Sequence, residues 1–172
     1  KNDWDRGVIA NNTGVAYTHQ GAYRKAIEYF NLSLVLRPSI TDDESSIRAK
    51  ANIAECLIYL KQPDSALAIL EPLYPKAKQE HFYRLSGSMA ILMGRIYADK
   101  KMPDKALPLV QEALQDAKTT GMPDSEAEAL MYLGILNKKS NEATALQNFK
   151  DATALADKYQ LHMIGWEAWF EL

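Results

Sequence analysis

The stretch Thr13-Gly14-Val15-Ala16-Tyr17, followed after eight intervening residues by Ala26-Ile27-Glu28-Tyr29-Phe30, decides how this chain folds, because it recurs. Counting 40 residues on from Gly14 gives Ala54, then Gly94, then Gly134, all small. Twelve residues after the first three stand Ala26, Ala66 and Ala106; in the fourth unit the alanine is Ala145, one residue early, which implies a one-residue deletion in a turn. Four residues after each alanine comes a large apolar residue: Phe30, Leu70, Val110 and Phe149. Four copies in phase across almost the whole of 172 residues make an internal repeat, and units of this size bury their apolar faces only by stacking on one another.

The pattern resembles the tetratricopeptide repeat (TPR), in which Leu-Gly-x-x-Tyr is followed by Ala-x-x-x-Phe and a closing proline. The first unit matches best, with Gly14-x-x-Tyr17, Ala26-x-x-x-Phe30 and Pro38. The third has Met93-Gly94-x-x-Tyr97 and Ala106-x-x-x-Val110, and the fourth Leu133-Gly134 and Ala145-x-x-x-Phe149. The second, Ile53-Ala54 and Ala66-x-x-x-Leu70, is the weakest. The bulky residue that usually opens the signature is replaced by Ala10, Lys50, Ala90 and Leu130, and units two to four lack the closing proline. The resemblance implies an all-α solenoid of antiparallel helix pairs, A and B, with the small residue of A and the alanine of B where the helices cross. Small side chains there let helix axes approach to about 8 Å.

The period is 40 where the family's usual period is 34. The extra six residues fall between helix B and the next helix A, as in 76–85 and 116–125, and amount to about 9 Å of helix. Longer helices follow, similar to the extended repeats of kinesin light chains and several bacterial regulators. The units run over about 7–40, 47–80, 87–120 and 127–160, a single array over 1–172. Residues 161–172 read as the first helix of a truncated fifth unit, since Glu167-Ala168-x-x-x-Leu172 repeats Glu128-Ala129-x-x-x-Leu133. Four helix pairs and a lone ninth helix are expected.

Local signals place the helix ends. Gly21 and Gly121 mark turns. Pro63, Pro103 and Pro123, each followed by Asp, suit first helical turns. Thr41-x-x-Glu44 reads as a capping box, and Ser140 or Asn141 as a cap for the fourth helix B. Pro72 and Pro75 are expected to kink or interrupt the second helix B, and Pro108 to bend the third.

Composition bounds the function. The chain is 47% hydrophobic and 24% charged, as soluble folded proteins are, and carries a net charge of −2. That balance argues against nucleic-acid binding, which draws on a basic excess. No apolar run reaches the roughly 18 residues of a membrane-spanning helix, so no membrane insertion is expected within this segment. Cys56 is the only cysteine, which excludes an intramolecular disulfide and a multi-cysteine metal site. His19, His81 and His162 fall in different units and do not make a ligand set. Asp42-Asp43-Glu44 reads as an acidic first turn that favours the helix dipole. No catalytic constellation and no cofactor motif is present, so the chain reads as non-enzymatic, without cofactor or metal.

What remains is surface. In the resembling family the inner face of the superhelix is built mainly from helix A, at the second, fifth, sixth, ninth, twelfth and thirteenth positions of each unit. Carried across, these positions give a partner-binding groove of Asn11, Asn12, Arg48, Asn52, Glu55, Ile91, Leu92, Arg95, Met131 and Tyr132. Asn12 and Asn52 share the sixth position, where an amide can both donate to and accept from a peptide backbone. A chaperone-type carboxylate clamp is rejected: its positions map to Asn11, Val15, Asn52, Ser88 and Leu92, and only Asn52 matches. Trp166, Trp169 and Phe170 crowd the last helix as core awaiting a partner helix, or as a terminal interface through which the chain self-associates. The expected function is a non-catalytic protein- or peptide-binding scaffold. The alternative is the sensory region of a larger bacterial signalling protein, a histidine kinase or transcription regulator. The sequence does not name the partner or the compartment.

Overall fold

The computed structural model describes residues 3–37 and 43–161. They form eight α-helices in chain order: α1 Asp3–His19, α2 Tyr23–Leu36, α3 Glu44–Tyr59, α4 Pro63–Gln79, α5 Tyr83–Asp99, α6 Pro103–Thr120, α7 Pro123–Asn137 and α8 Glu142–Tyr159. No strand occurs among the described residues. The odd-numbered helices are the A helices and the even-numbered the B helices. The expected ninth helix lies outside the described residues. The chain falls into two compact units, Lys1–Leu85 and Ser86–Leu172.

One turn recurs at most helix ends and explains the spacing. At the end of α1, Gly21 takes a left-handed conformation (φ 72°), its N–H reaches the Thr18 carbonyl at 2.9 Å, and the Ala22 N–H reaches the Tyr17 carbonyl at 2.9 Å. This is the Schellman motif. The same pair of bonds closes α4 at His81 and Phe82, α5 at Lys101 and Met102, α6 at Gly121 and Met122, and α8 at Gln160 and Leu161; α3 ends likewise at Lys61 and Gln62. The residue after each left-handed one does two jobs. Ala22, Gln62, Met102 and Met122 are also the N-caps of the next helices, and none caps with its side chain. The motif favours an apolar residue there, which competes with the Ser, Thr, Asp or Asn a cap prefers. Pro63, Pro103 and Pro123 at the next position need no cap for an N–H they lack.

Glycine was the expected turn residue, yet Lys61, His81, Lys101 and Gln160 adopt φ of 57–62°. A side chain in that conformation costs about 1–2 kcal/mol. Lys101→Gly is therefore expected to stabilise the fold by about 0.5–1 kcal/mol after the greater unfolded-chain entropy of glycine is subtracted. Gly121→Ala, where an added methyl meets nothing within 4 Å, should destabilise it by a similar amount. Urea melts of the two variants should shift in opposite directions.

Two other local expectations change and one holds. Helix α3 is capped by Asp43, whose carboxylate accepts from the Ser46 N–H at 2.7 Å, rather than by a box on Thr41, which lies outside the described residues. Asn141 caps α8 by accepting from the Thr144 N–H at 3.1 Å, as expected, and the connection before it, 138–141 against three residues at the other A-to-B turns, closes by the Ser140 and Asn141 N–H groups donating to the Asn137 carbonyl. Helix α4 runs unbroken through Pro72 and Pro75. Both prolines are exposed, and so are Ala68 and Glu71, whose carbonyls would otherwise accept from the N–H groups the prolines lack and here lie where solvent can reach them.

The crossings also differ in one respect. The helix-A glycines make room chiefly for the large residue of helix B, not for its alanine. A methyl added at Gly14 would stand 2.6 Å from the Phe30 ring, and one at Gly94 would stand 2.5 Å from Cγ2 of Val110 and 3.3 Å from the Ala106 carbonyl oxygen. Gly134 is covered by Phe149 in the same way. Phe30, Leu70 and Val110 are fully buried, as are Ala26, Ala66 and Ala106. At the other end of the first crossing, Gly7 leaves room for the Arg37 side chain, which lies over the Trp4 ring at 4.8 Å and donates to Ser45 Oγ at 3.1 Å. Arg37 thus ties α1 and α3 to the end of α2.

Candidate functional site

Each A helix packs one side against its own B helix and turns the opposite side outward. In the unit Lys1–Leu85 that side of α1 carries Val8, Asn12 and His19, spaced i, i+4, i+11, while Val15 at i+7 packs against the buried cluster of Ala26, Phe30, Ile53 and Cys56. Forty residues on, α3 presents Arg48, Asn52, Glu55 and Tyr59. Helices α1 and α3 touch directly, and Thr18 Oγ1 meets Cys56 Sγ between them at 3.5 Å. Asn12 is exposed and Asn52 half-buried. Among the described residues neither side-chain amide has a hydrogen-bond partner. Arg48 is paired with Glu44 one turn earlier, and Glu55 is also engaged. Tyr59 closes the row, stacked on Tyr23 with ring centroids 4.7 Å apart and planes 6° from parallel.

In the compact unit Ser86–Leu172 the same positions are Ser88, Leu92, Arg95 and Asp99 on α5, and Glu128, Tyr132 and Ile135 on α7. Leu92, Arg95 and Tyr132 are half-buried, and Ile135 is 41% exposed. Two of the expected groove residues do not belong to a surface. Ile91 is 2% exposed and Met131 3%; Met131 forms a core cluster with Leu130 and Ala152, against which Tyr132 and Leu114 pack. The reason is angular. The fifth position of the repeat lies about 100° from the sixth around the helix, close to the side that meets neighbouring helices. Asn11 occupies that position in the first unit and is half-buried. The outward row is therefore the second, sixth and thirteenth positions, joined by the ninth outside α1. Trp166, Trp169 and Phe170 lie outside the described residues.

Nothing in the described residues adds a second kind of site. No group of three or more His, Cys, Asp or Glu stands where it could hold a metal ion, and no helix is long and apolar enough to cross a membrane. Cys56 is buried, and that burial pushes its thiol pKa up, with a smaller rise from Glu55 opposed by the Thr18 contact. A raised thiol pKa disfavours the reactive thiolate.

Eight helices in A/B pairs, small residues at the crossings and a 40-residue period define a TPR-type α-helical solenoid fold. Solved structures agree. The chain is similar to aspartyl phosphate phosphatase F from Bacillus subtilis, with a TM-score of 0.84 at 14% identity over 99% of this chain and 45% of that one. It is similar to the Rap conjugation gene regulator of the plasmid pLS20 in complex with the Phr* peptide, with a TM-score of 0.70 at 16% identity over 96% of this chain and 51% of that one. A putative kinesin light chain from Podosopora anserina, with nearly identical TPR-like repeats, matches with a TM-score of 0.54 at 12% identity over 96% of this chain and 92% of that one. The chain spans about half the length of the first two. No family model matches the sequence, and no curated protein is significantly similar to it.

Proposed function

We propose that this chain is a non-catalytic binding module that holds a protein or peptide segment along the outward faces of its A helices. The observation that carries the reading is the pair Asn12 and Asn52. They occupy the same repeat position on touching helices, and among the described residues their amides bond to nothing. A carboxamide offers two donors and an acceptor, which match the N–H and C=O of an extended peptide. Val8, one turn from Asn12, would take a small apolar side chain, while Arg48 and Glu55 would set charge preferences beside Asn52. On the unit Ser86–Leu172, taken by itself, the corresponding positions Leu92, Tyr132 and Ile135 offer larger apolar side chains. One similar structure, the pLS20 regulator, holds a peptide.

A second reading is supported by length. The chain covers only 45% and 51% of the phosphatase and the regulator it is similar to, so the binding module would belong to a larger signalling protein whose output lies elsewhere. Both readings share the same binding face.

Replacing Asn12 and Asn52 together by alanine should leave the helical circular dichroism and the urea midpoint close to wild type, since neither residue stands at a crossing. It should weaken the partner by about 1–3 kcal/mol if the amides are buried in the complex. The measurement is isothermal titration of a partner recovered by pull-down. Equal affinity for wild type and the double variant would remove this face from consideration.

A further inference from the structure

Helix α4 carries two prolines in its interior, and each leaves an acceptor behind. Pro72 has no N–H to give the Ala68 carbonyl, and Pro75 has none to give the Glu71 carbonyl. Residues 68, 71, 72 and 75 stand at i, i+3, i+4 and i+7, so they make one stripe along the helix, and all four are exposed. The two carbonyls are separated by a rise of about 4.5 Å along the axis. Helix α6 has one interior proline, Pro108, and α2 and α8 have none. Proline is the least favourable residue in a helix interior. Neither Pro72 nor Pro75 is buried, so packing does not call for them.

Charge on this face has one sign. The charged residues that α4 exposes are Asp64 and Glu71, while its lysines, Lys76 and Lys78, are half-buried. The other B helices all expose cations, among them Lys25 on α2, Lys105 on α6 and Lys150 on α8. Asp64 and Glu71 are engaged within the chain, so the case rests on the carbonyls, and the two carboxylates set the sign of the field around them. Ala68, Pro72 and Pro75 have short side chains, which lets another chain come close to the backbone. Such a face fits a donor that is also a cation. A carbonyl oxygen offers two lone pairs, and a guanidinium presents five N–H donors in a rigid planar fork, so one arginine can serve both carbonyls at once. An ammonium is a compact, strongly hydrated point charge and gains less. We propose that the exposed face of α4 is a second docking surface, which takes an arginine-bearing segment of a partner protein with its guanidinium donating to the Ala68 and Glu71 carbonyls. This surface lies on a B helix and does not depend on the A-helix row.

The test is titration of the 172-residue chain with a hexa-arginine peptide, followed by backbone amide NMR shifts, with hexa-lysine as the comparison. Salt is held at about 0.15 M to screen diffuse attraction. Shifts are expected to cluster between Ser65 and Tyr74, and hexa-lysine should bind more weakly. The decisive variant combines Pro72→Ala with Pro75→Ala. It returns an N–H to each carbonyl and leaves every charge in place. It should weaken hexa-arginine binding by about fivefold or more, since the carbonyls are then occupied. The urea midpoint should not fall, because alanine is the better helix former, so lost binding is not lost folding. Three results would overturn the proposal: no binding or shifts centred away from α4, equal binding of the two peptides, or a double proline variant that binds hexa-arginine as tightly as wild type. The last would reduce the face to its charge alone.

Discussion

Replacing Gly94 by leucine is expected to destabilise the protein by about 3 kcal/mol or more, and replacing Gly87 by alanine to stabilise it. Both glycines lie in α5, seven residues apart, so propensity treats them alike: each weakens the helix by about 0.5–1 kcal/mol relative to alanine. The surroundings separate them. Even a methyl at Gly94 would stand 2.5 Å from Cγ2 of Val110, a fully buried side chain with one branching carbon and no flexible end to swing away. Leucine adds three more carbons to that gap, and overpacking of a filled core costs about 1–3 kcal/mol and sometimes more. A methyl at Gly87 meets nothing within 4 Å, so alanine there gains the propensity without a clash. Urea melts should move the midpoint down for Gly94→Leu and up for Gly87→Ala. A Gly94→Leu variant as stable as wild type would mean that α5 and α6 cross somewhere else.

The second large effect is expected at Phe30. Its ring is fully buried, lies over Gly14 and forms a cluster with Ala26, Ile53 and Cys56. Phe30→Ala removes the side chain that fills both the α1/α2 crossing and the α2/α3 contact, at a cost of about 3–5 kcal/mol. The pair with Gly14 gives a sharper check. Gly14→Ala alone should be costly, because its methyl would meet the ring at 2.6 Å. Combined with Phe30→Leu, which draws back from that methyl, it should cost less than the sum of the two single changes. A double-mutant cycle reads the difference, and a coupling near zero would contradict the contact.

Much of this fold was legible because the repeat registers itself. Gly14, Gly94 and Gly134 stand at crossings, and helix starts at Pro63, Pro103 and Pro123 fall where proline followed by aspartate placed them. What escaped was set by context. Lys61, His81, Lys101 and Gln160 carry no sign that they will be left-handed; the conformation is set by the pair of backbone bonds that closes each helix there. Pro72 and Pro75 read as breakers until their exposure is known, since a solvent-facing carbonyl does not depend on a helical donor. Asn12 and Asn52 were placed at one repeat position by counting alone, and both lie on touching helices with amides that bond to nothing among the described residues. Ile91 and Met131 were misplaced because hydrophobicity at a lining position looks the same whether it anchors a ligand or fills a core, and only burial separates the two.

The recurrent Schellman turn has a consequence for how such a chain grows. Gly21, Lys61 and Lys101 stand 40 residues apart in the same backbone conformation, each followed by a residue that closes one helix and opens the next. A gene segment copied or excised between any two of these codons carries matching ends, so a longer or shorter array needs no new connector. The joint is standardised while the helix faces between joints remain free to diverge. Selection can thus alter the side chains along a helix, such as asparagine and histidine on α1 against asparagine and tyrosine at the same positions on α3, without renegotiating the turns that hold it.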